Sequence, residues 1–326
     1  MPGPHPATAA VRHAVRAVLP EAGPGGLVLV ACSGGADSLA LAAATAFEAA
    51  SAGVRAGAVV VDHGLQAGSA DVATTAATTL LGLGLAPVEV VKVTVDAASG
   101  EGLEAAARTA RYVALDTVAD RLGAAVVLLG HTRDDQAEQV LLGLARGAGS
   151  RSLAGMPPAR GRYRRPLLGV SREQCRASAR AEGVAWWDDP MNEDPAFARV
   201  RARRALADLE RDLGPGVTAS LSRTAGLLRE DADVLDGLAD DAVASLGAGP
   251  WEVAALAALP RAVRTRVWRR LLVGAGAPAG QVGTRHTDAC DLLLTRWHGQ
   301  GPVHAPGDLR VRRSGSRVHI GPAARV

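Results

Sequence analysis

Residues 33–38 read Ser-Gly-Gly-Ala-Asp-Ser, directly after the apolar run GLVLVAC (26–32) and before a stretch rich in Ala and Leu. Such a segment suits an anion. Gly34 and Gly35 let the chain turn tightly, so that the backbone N–H groups through Ala36 come close to a ligand. A following helix points its positive dipole end and free N–H groups at the same place. Ser33 and Ser38 add hydroxyl donors. Asp37 would repel phosphate unless a cation lay between them, so its expected role is to hold Mg²⁺. The competing reading is a Ser/Asp N-cap after a glycine turn, which needs no ligand. Two other phosphate loops are excluded, because no Walker lysine follows and the GxGxxG fingerprint is missing.

A second cluster lies in LLGHTRDDQAEQVLLGLARGAG (128–149). His131 ends an apolar run, and Asp134, Asp135, Gln136 and Glu138 open a helix. Acids are favourable at a helix start, but three carboxylates within five residues exceed what capping requires. Asp135 and Glu138, three apart, share one helix face and together suit a cation. VVVDHGLQ (59–66) ends a strand with Asp62, His63 and Gly64, where turn chemistry and ligand contact are equally good readings. GLEAAARTARYVAL (102–115) sets Glu104, Arg108, Arg111 and Tyr112 on a helix, with Glu104 and Arg108 an ordinary i,i+4 pair.

These residues need a frame that brings them together. GLVLVAC (26–32), AGAVVVDH (56–63), VEVVKVTV (88–95) and AAVVLLGH (124–131) are continuous apolar runs, as strands covered on both faces should be. Crossover helices fit between them at 37–50, 69–83 and 102–122. The β-α-β-α rhythm predicts an α/β fold with a doubly wound, mostly parallel sheet. Ligands then bind beyond the carboxyl ends of the strands, where the polar residues cluster. After residue 150 the rhythm fades into loops and helices. LGPGV (213–217) is the expected linker, dividing a catalytic domain (1–215) from a smaller, mainly helical domain (216–326) that includes a hairpin in LRVRRSGSRVHI.

The net charge of +3 hides an asymmetry. Residues 1–150 hold 9 Lys and Arg against 14 Asp and Glu, a balance of −5, whereas residues 151–326 hold 27 against 19, a balance of +8. Basic clusters at 160–166, 199–204, 261–270 and 310–317 favour a polyanionic partner, with nucleic acid first. No apolar run is long enough to span a bilayer, and the N-terminal segment lacks a signal-peptide core. Cys32, Cys175 and Cys290 are too dispersed for a disulfide framework or a CxxC metal site. The expected location is the cytoplasm, with no membrane association.

SGGADS resembles the PP-loop of ATP pyrophosphatases, which cut ATP between its α and β phosphates. Taken with VDHGL, LEAAARTARY, GHTRDDQAE, RGAGSRSLAGM, RPLL and WWDDPMNEDPAFARVRAR, in this order over about 28–205, the sequence resembles the tRNA(Ile)-lysidine synthetase family. It departs from that family's pattern at Gln139, Val200 and Ala202. The resemblance implies that ATP adenylates the first anticodon cytidine of the minor, CAU-anticodon isoleucine tRNA, and that free L-lysine then displaces AMP. It further implies that Ser33 to Ser38 and His63 bind ATP, with Mg²⁺ on Asp37 and Asp134 a second candidate ligand. Arg111, Asp135 and Glu138 would hold lysine, and Arg203 would stabilise the α-phosphate. Arg199 and Arg201, with Arg264, Arg266, Arg269 and Arg270 of the second half, are the expected tRNA contacts. The sequence leaves monomer and homodimer both open. A PP-loop cytidine thiolase and a non-catalytic nucleotide- or RNA-binding module are the alternatives.

Overall fold

The computed structural model describes residues 3–66, 68–95 and 102–323, without the side chains of 103 and 104, so the Glu104–Arg108 pair lies outside the described residues. The chain divides into two compact units, one ending at Leu227 and one beginning at Leu228. The first unit opens with helix α1 (Pro6–Arg16), strand β1 (Leu27–Cys32), α2 (Ala36–Ala49), β2 (Arg55–Asp62) and α3 (Ser69–Gly82). It continues through β3 (Val88–Lys92), α4 (Leu103–Leu122), β4 (Ala124–Leu129), α5 (Arg133–Ala145) and the single turn α6 (Ser150–Leu153). Short strands β5 (Ala159–Arg160) and β6 (Tyr163–Arg164), then helices α7 (Arg172–Ala181) and α8 (Ala198–Leu213), complete it.

The sheet order is β3-β2-β1-β4-β6-β5. All neighbours are parallel except β5 and β6. Alternation along β1 serves two cores. Leu27 and Leu29 pack with Leu115 and Val118 of α4, while Val28, Val30 and Cys32 join α1, α2, α3 and α7 on the other face. Each residue of β1 therefore meets apolar surroundings, which is why the run does not alternate in polarity. Chain order reverses at β1: β2 and β3 extend the sheet one way and β4 returns to the other side. That switch point puts the carboxyl ends of β1 and β4 side by side, where a doubly wound sheet opens a crevice.

Helix α9 (Val217–Leu246) runs across the division between the units. The expected linker forms the turn before it, where the Glu210 carboxylate accepts from the N–H groups of Gly216 and Thr218. In the second unit follow β7 (Trp251–Glu252), α10 (Val253–Ala257), α11 (Arg261–Gly274), α12 (Thr284–Thr295), β8 (Val303–Ala305), β9 (Leu309–Ser314) and β10 (Arg317–Pro322). Trp268, Val267 and Leu272 of α11 centre its core, together with Cys290 and Leu293 of α12 and Val311 and Val318 of the sheet. The expected hairpin is present as β9–β10. It belongs to a four-stranded antiparallel sheet, β7-β10-β9-β8, whose outer strands of two and three residues are too short to leave a periodic signal. Among the described residues no helix is long and apolar enough to cross a membrane.

Candidate active site

The loop after β1 takes the shape its sequence requires. Gly34 has φ +81°, a conformation that disfavours any side chain, and Gly35 is the N-cap of α2. The buried Ser38 hydroxyl accepts from the Ser33 N–H (3.2 Å) and donates to the Gly35 carbonyl (2.9 Å), so it braces the loop. Ser33 is exposed at its mouth. Gly130, just beyond β4, lets that strand's end approach α2. A Cβ there would sit 3.1 Å from Ser38 Cα. The Trp187 N–H donates to the Gly34 carbonyl (3.0 Å), laying the segment after α7 against the loop.

A cavity of about 880 Å³ spreads from this loop across the ends of β2 and β4 to α7 and α8. One wall is acidic. Asp37 of α2 and Asp135 and Glu138 of α5 converge on the guanidinium of Arg172, the first residue of α7. Arg172 lies 2.8 Å from Asp135 Oδ1, 3.3 Å from Glu138 Oε1 and 3.5 Å from Asp37 Oδ2. Burial works against the charge on Arg172, but the surrounding carboxylates outweigh it and raise its pKa. Arg203 Nε donates to the same Glu138 oxygen (2.9 Å). Two buried oxygens on this wall, Asp37 Oδ1 and Glu138 Oε2, have no hydrogen-bond partner. Burial, and then repulsion from Asp135 and Asp134, push the Asp37 carboxyl up to about 6 despite Arg172.

The acids of α5 also have structural work. Asp135 forms a capping box with Thr132, accepting from its N–H (2.8 Å) and hydroxyl (3.0 Å) through Oδ2. Asp134 accepts from the Arg172 N–H (2.9 Å) and thereby docks α7 on α5. The Gln136 amide bonds both the N–H and the carbonyl of Met156. Three carboxylates at one helix start thus include two helix-end ligands, and Glu138 is left as the one buried among arginines.

Another part of the cavity is cationic. Arg111 of α4 lines the cavity, and among the described residues its Nε is buried without an acceptor, as are His63 Nδ1 and His131 Nδ1. Burial, with Arg108, Arg199 and Arg165 nearby, lowers the pKa of Arg111. Burial, with Arg111, Arg165 and Arg199 nearby, takes His131 down to about 3, and burial with Arg111 lowers His63, so both imidazoles favour the neutral form at pH 7. Buried positive charge without an acid partner is costly unless an anion joins it.

Mg²⁺ fits the acidic wall through Asp37, whose unpartnered oxygen and unfavourable ionisation a cation would relieve. Among the described residues no group of three His, Cys, Asp or Glu side chains forms a metal cage. The donor set therefore suits a cation that arrives with substrate phosphates, since Mg²⁺ commonly uses one or two protein carboxylates plus phosphate oxygens.

Residues 9–210 match the PP-loop domain model, and residues 252–319 match a TilS substrate binding domain. The tRNA(Ile)-lysidine synthase of Thermobifida fusca is 56% identical over 98% of this chain and 99% of its own length. That of Streptomyces coelicolor is 52% identical over the same shares. The chain belongs to the tRNA(Ile)-lysidine synthase family. Among solved structures, the U34-tRNA thiolase NcsA from Methanococcus maripaludis shares the fold, with a TM-score of 0.56 at 18% identity over 68% of this chain and 80% of its own.

Within this family frame, the structure brings Ser33, Gly35 to Ser38, His63, Arg111, Asp135 and Arg203 to the lining of one cavity, and the buried Glu138 touches that lining through Arg172 and Arg203. The residues at which the sequence departs from the family's pattern differ in their setting. Val200 and Ala202 are buried on α8, which explains their apolar character. Gln139 is half-buried on α5, and nothing in the structure assigns it a role. Arg201 is turned elsewhere, donating to the carbonyls of Pro195 and Ala196 (2.7 and 2.8 Å). In the second unit the expected tRNA contacts on α11 are already engaged. Arg264 is buried, clamps both oxygens of Asp291 and donates to the Leu259 carbonyl. Its sequence neighbourhood reads as a basic face, but the side chain points inward, so it is not a surface contact. Arg266 pairs with Asp236 and Arg270 with Asp240, and Arg269 donates to the carbonyls of Ala279 and Val282. Sequence reasoning missed Arg172 and the buried Arg165. Arg172 follows an ordinary Ser171–Gln174 capping box, and only its contacts distinguish it.

Proposed function

We propose that this chain forms lysidine, joining free L-lysine to C2 of the cytidine at the first anticodon position of the CAU-anticodon isoleucine tRNA. The cytosine O2 attacks the α-phosphorus of ATP and pyrophosphate leaves. The lysine ε-amine then attacks C2, the C–O bond to AMP breaks, and the amine gives up its protons. The product reads AUA in place of AUG. When bound, Mg²⁺ supplies charge neutralisation on the triphosphate. The loop N–H groups at the start of α2 receive the departing pyrophosphate, Asp37 would hold the cation, and Arg203 offsets charge growing on the α-phosphate. The target base must leave its stack to reach ATP.

The joining of acids around Arg172 and cations around Arg111 in one cavity carries this reading. A phosphate loop alone would serve any PP-loop enzyme. Lysine is a zwitterion with an extra ammonium, and it needs both Glu138 with Asp135 and a cation such as Arg111, whose Nε has no partner among the described residues. The thiolase alternative has weaker support: Cys32, Cys175 and Cys290 are all buried, burial raises each thiol pKa, and Cys290 lies in the other unit. We assign residues 1–215 to catalysis and 216–326 to gripping the body of the tRNA on its acceptor side, with the reaction taking place in the cytoplasm. A homodimer is not required by this chemistry. Incubation with radiolabelled lysine, ATP and CAU transcripts tests it. Label entering the isoleucine transcript but not the methionine one is expected. Pyrophosphate release with no lysine incorporated would reject it.

A further inference from the structure

The small sheet of the second unit separates its arginines into two kinds. Leu309, Val311 and Val318 enter the core, so the residues between them on β9 and β10 stand on the other, open face. Register puts His304 of β8 opposite Arg310, and His319 of β10 opposite Arg312. These four side chains share that open face. Arg312 and His304 are exposed, and Arg310 and His319 are half-buried.

Most other arginines of this unit are committed. Besides those of α11, Arg313 donates to the Leu293 carbonyl and lies over the Trp297 ring, and Arg317 pairs with Glu252. Among the described residues, neither Arg310 nor Arg312 has a carboxylate or carbonyl partner, and Arg310 Nε is buried with no acceptor. Of the residues that strand pairing brings to this face, Glu252 is the one acid, and Arg317 already holds it. Gly321 lies opposite Arg310, and a Cβ placed there would meet nothing within 4 Å. The floor beside Arg310 is therefore bare backbone.

We propose that this open sheet face binds the sugar–phosphate backbone of the tRNA, a claim that rests on the function proposed above. Two arginines rise from the same face of one strand, two residues or about 6.6 Å apart along its backbone. Each presents planar donors that match phosphate oxygens, and the flanking imidazoles add further ring donors. A protein partner would need aromatic or aliphatic anchors at the centre of the patch, and these paired positions supply none. Contacts of this kind position a tRNA without reading its bases. Recognition of the anticodon stays with the other unit.

The test is binding of the full-length chain to the CAU isoleucine transcript between about 50 and 200 mM salt. The double variant R310Q/R312Q should weaken binding about tenfold at the low-salt end. It should also reduce the slope of log K against log salt by about 1 to 2, as expected for the loss of two phosphate contacts. R310K/R312K should retain most of the slope, because lysine still pairs with phosphate. R312Q alone, at the exposed position, serves if the double variant melts early. An unchanged slope in R310Q/R312Q, or a larger loss in R266Q/R270Q, would overturn the assignment. Lysine incorporation by the unaltered chain is measured alongside. Its absence would reject the enzyme reading, whereas its presence with an unchanged slope would reject only the sheet face.

Discussion

Helix α11 and the start of α5 are both dense charge clusters, and they do opposite things. On α11 five arginines reach carboxylates or carbonyls, and the buried Arg264 uses most of its donors. Around α5 the pairing is incomplete: among the described residues Asp37 Oδ1, the buried Glu138 Oε2 and Arg111 Nε all lack hydrogen-bond partners. A completed cluster holds elements together. An incomplete one, enclosed in a cavity, is waiting for a ligand of matching charge. Density of charge in the sequence does not separate the two cases, but satisfaction of each buried atom does.

Breaking a member of each cluster should therefore read out differently. The largest effect is expected on α11: Arg264→Ala strands Asp291 as a buried, unpaired charge, costing about 3–5 kcal/mol of stability. Denaturant unfolding of the second unit's transition measures it, and a loss below about 1 kcal/mol would mean the pair is surface decoration. At the cavity, Asp37→Ala should cut pyrophosphate release by about 10²- to 10³-fold, as removal of a charge-stabilising group does, with little change in tRNA affinity. Near-normal turnover at saturating Mg²⁺ would remove Asp37 from the metal site. Smaller again is Glu138→Gln, which keeps an acceptor for Arg203 but loses the charge. Lysine KM should rise about 30-fold, equivalent to roughly 2 kcal/mol, while pyrophosphate release is spared. Equal damage to both half-reactions would show that Glu138 serves ATP through Arg203 instead of lysine.

Much of this was legible in the sequence because the relevant signals are local. The buried strands β1 and β4, the glycine turn at Gly34 and the placement of Asp37 at the first turn of α2 all follow from neighbours within a few residues. The doubly wound rhythm then fixes where those strand ends meet. Arg172 was not legible, since its significance comes from α2 and α5, at sequence distances over which spacing carries no information. The partners of the α11 arginines are hidden in the sequence for a related reason. Their acids sit on α9 and α12, and no periodicity within α11 reveals that Asp236, Asp240 and Asp291 will face them. The short strands β7 and β8 escaped because two or three residues cannot display a period.

The smallest expected effect sharpens the comparison most, because it asks whether the incomplete cluster destabilises the ligand-free fold. Asp37 ionises near 3.8 when exposed, and at about 6 in the folded chain. The folded state thus binds this proton more tightly than the unfolded state. Its contribution favours folding below about pH 4, weakens through the interval, and becomes a penalty above pH 6. Asp37→Asn removes the ionisable group and keeps the shape. In EDTA at pH 8 the variant should melt a few degrees higher than the unaltered chain, and at pH 4 the two should coincide. An α11 pair such as Arg270–Asp240 should show the reverse, with neutralisation of Asp240 lowering the melting temperature at pH 8, because that carboxyl is held below its usual range by Arg270. If Asp37→Asn failed to stabilise at pH 8, the orphaned oxygen would carry no cost. The contrast between a satisfied cluster and a waiting one would then lose its energetic basis at this residue.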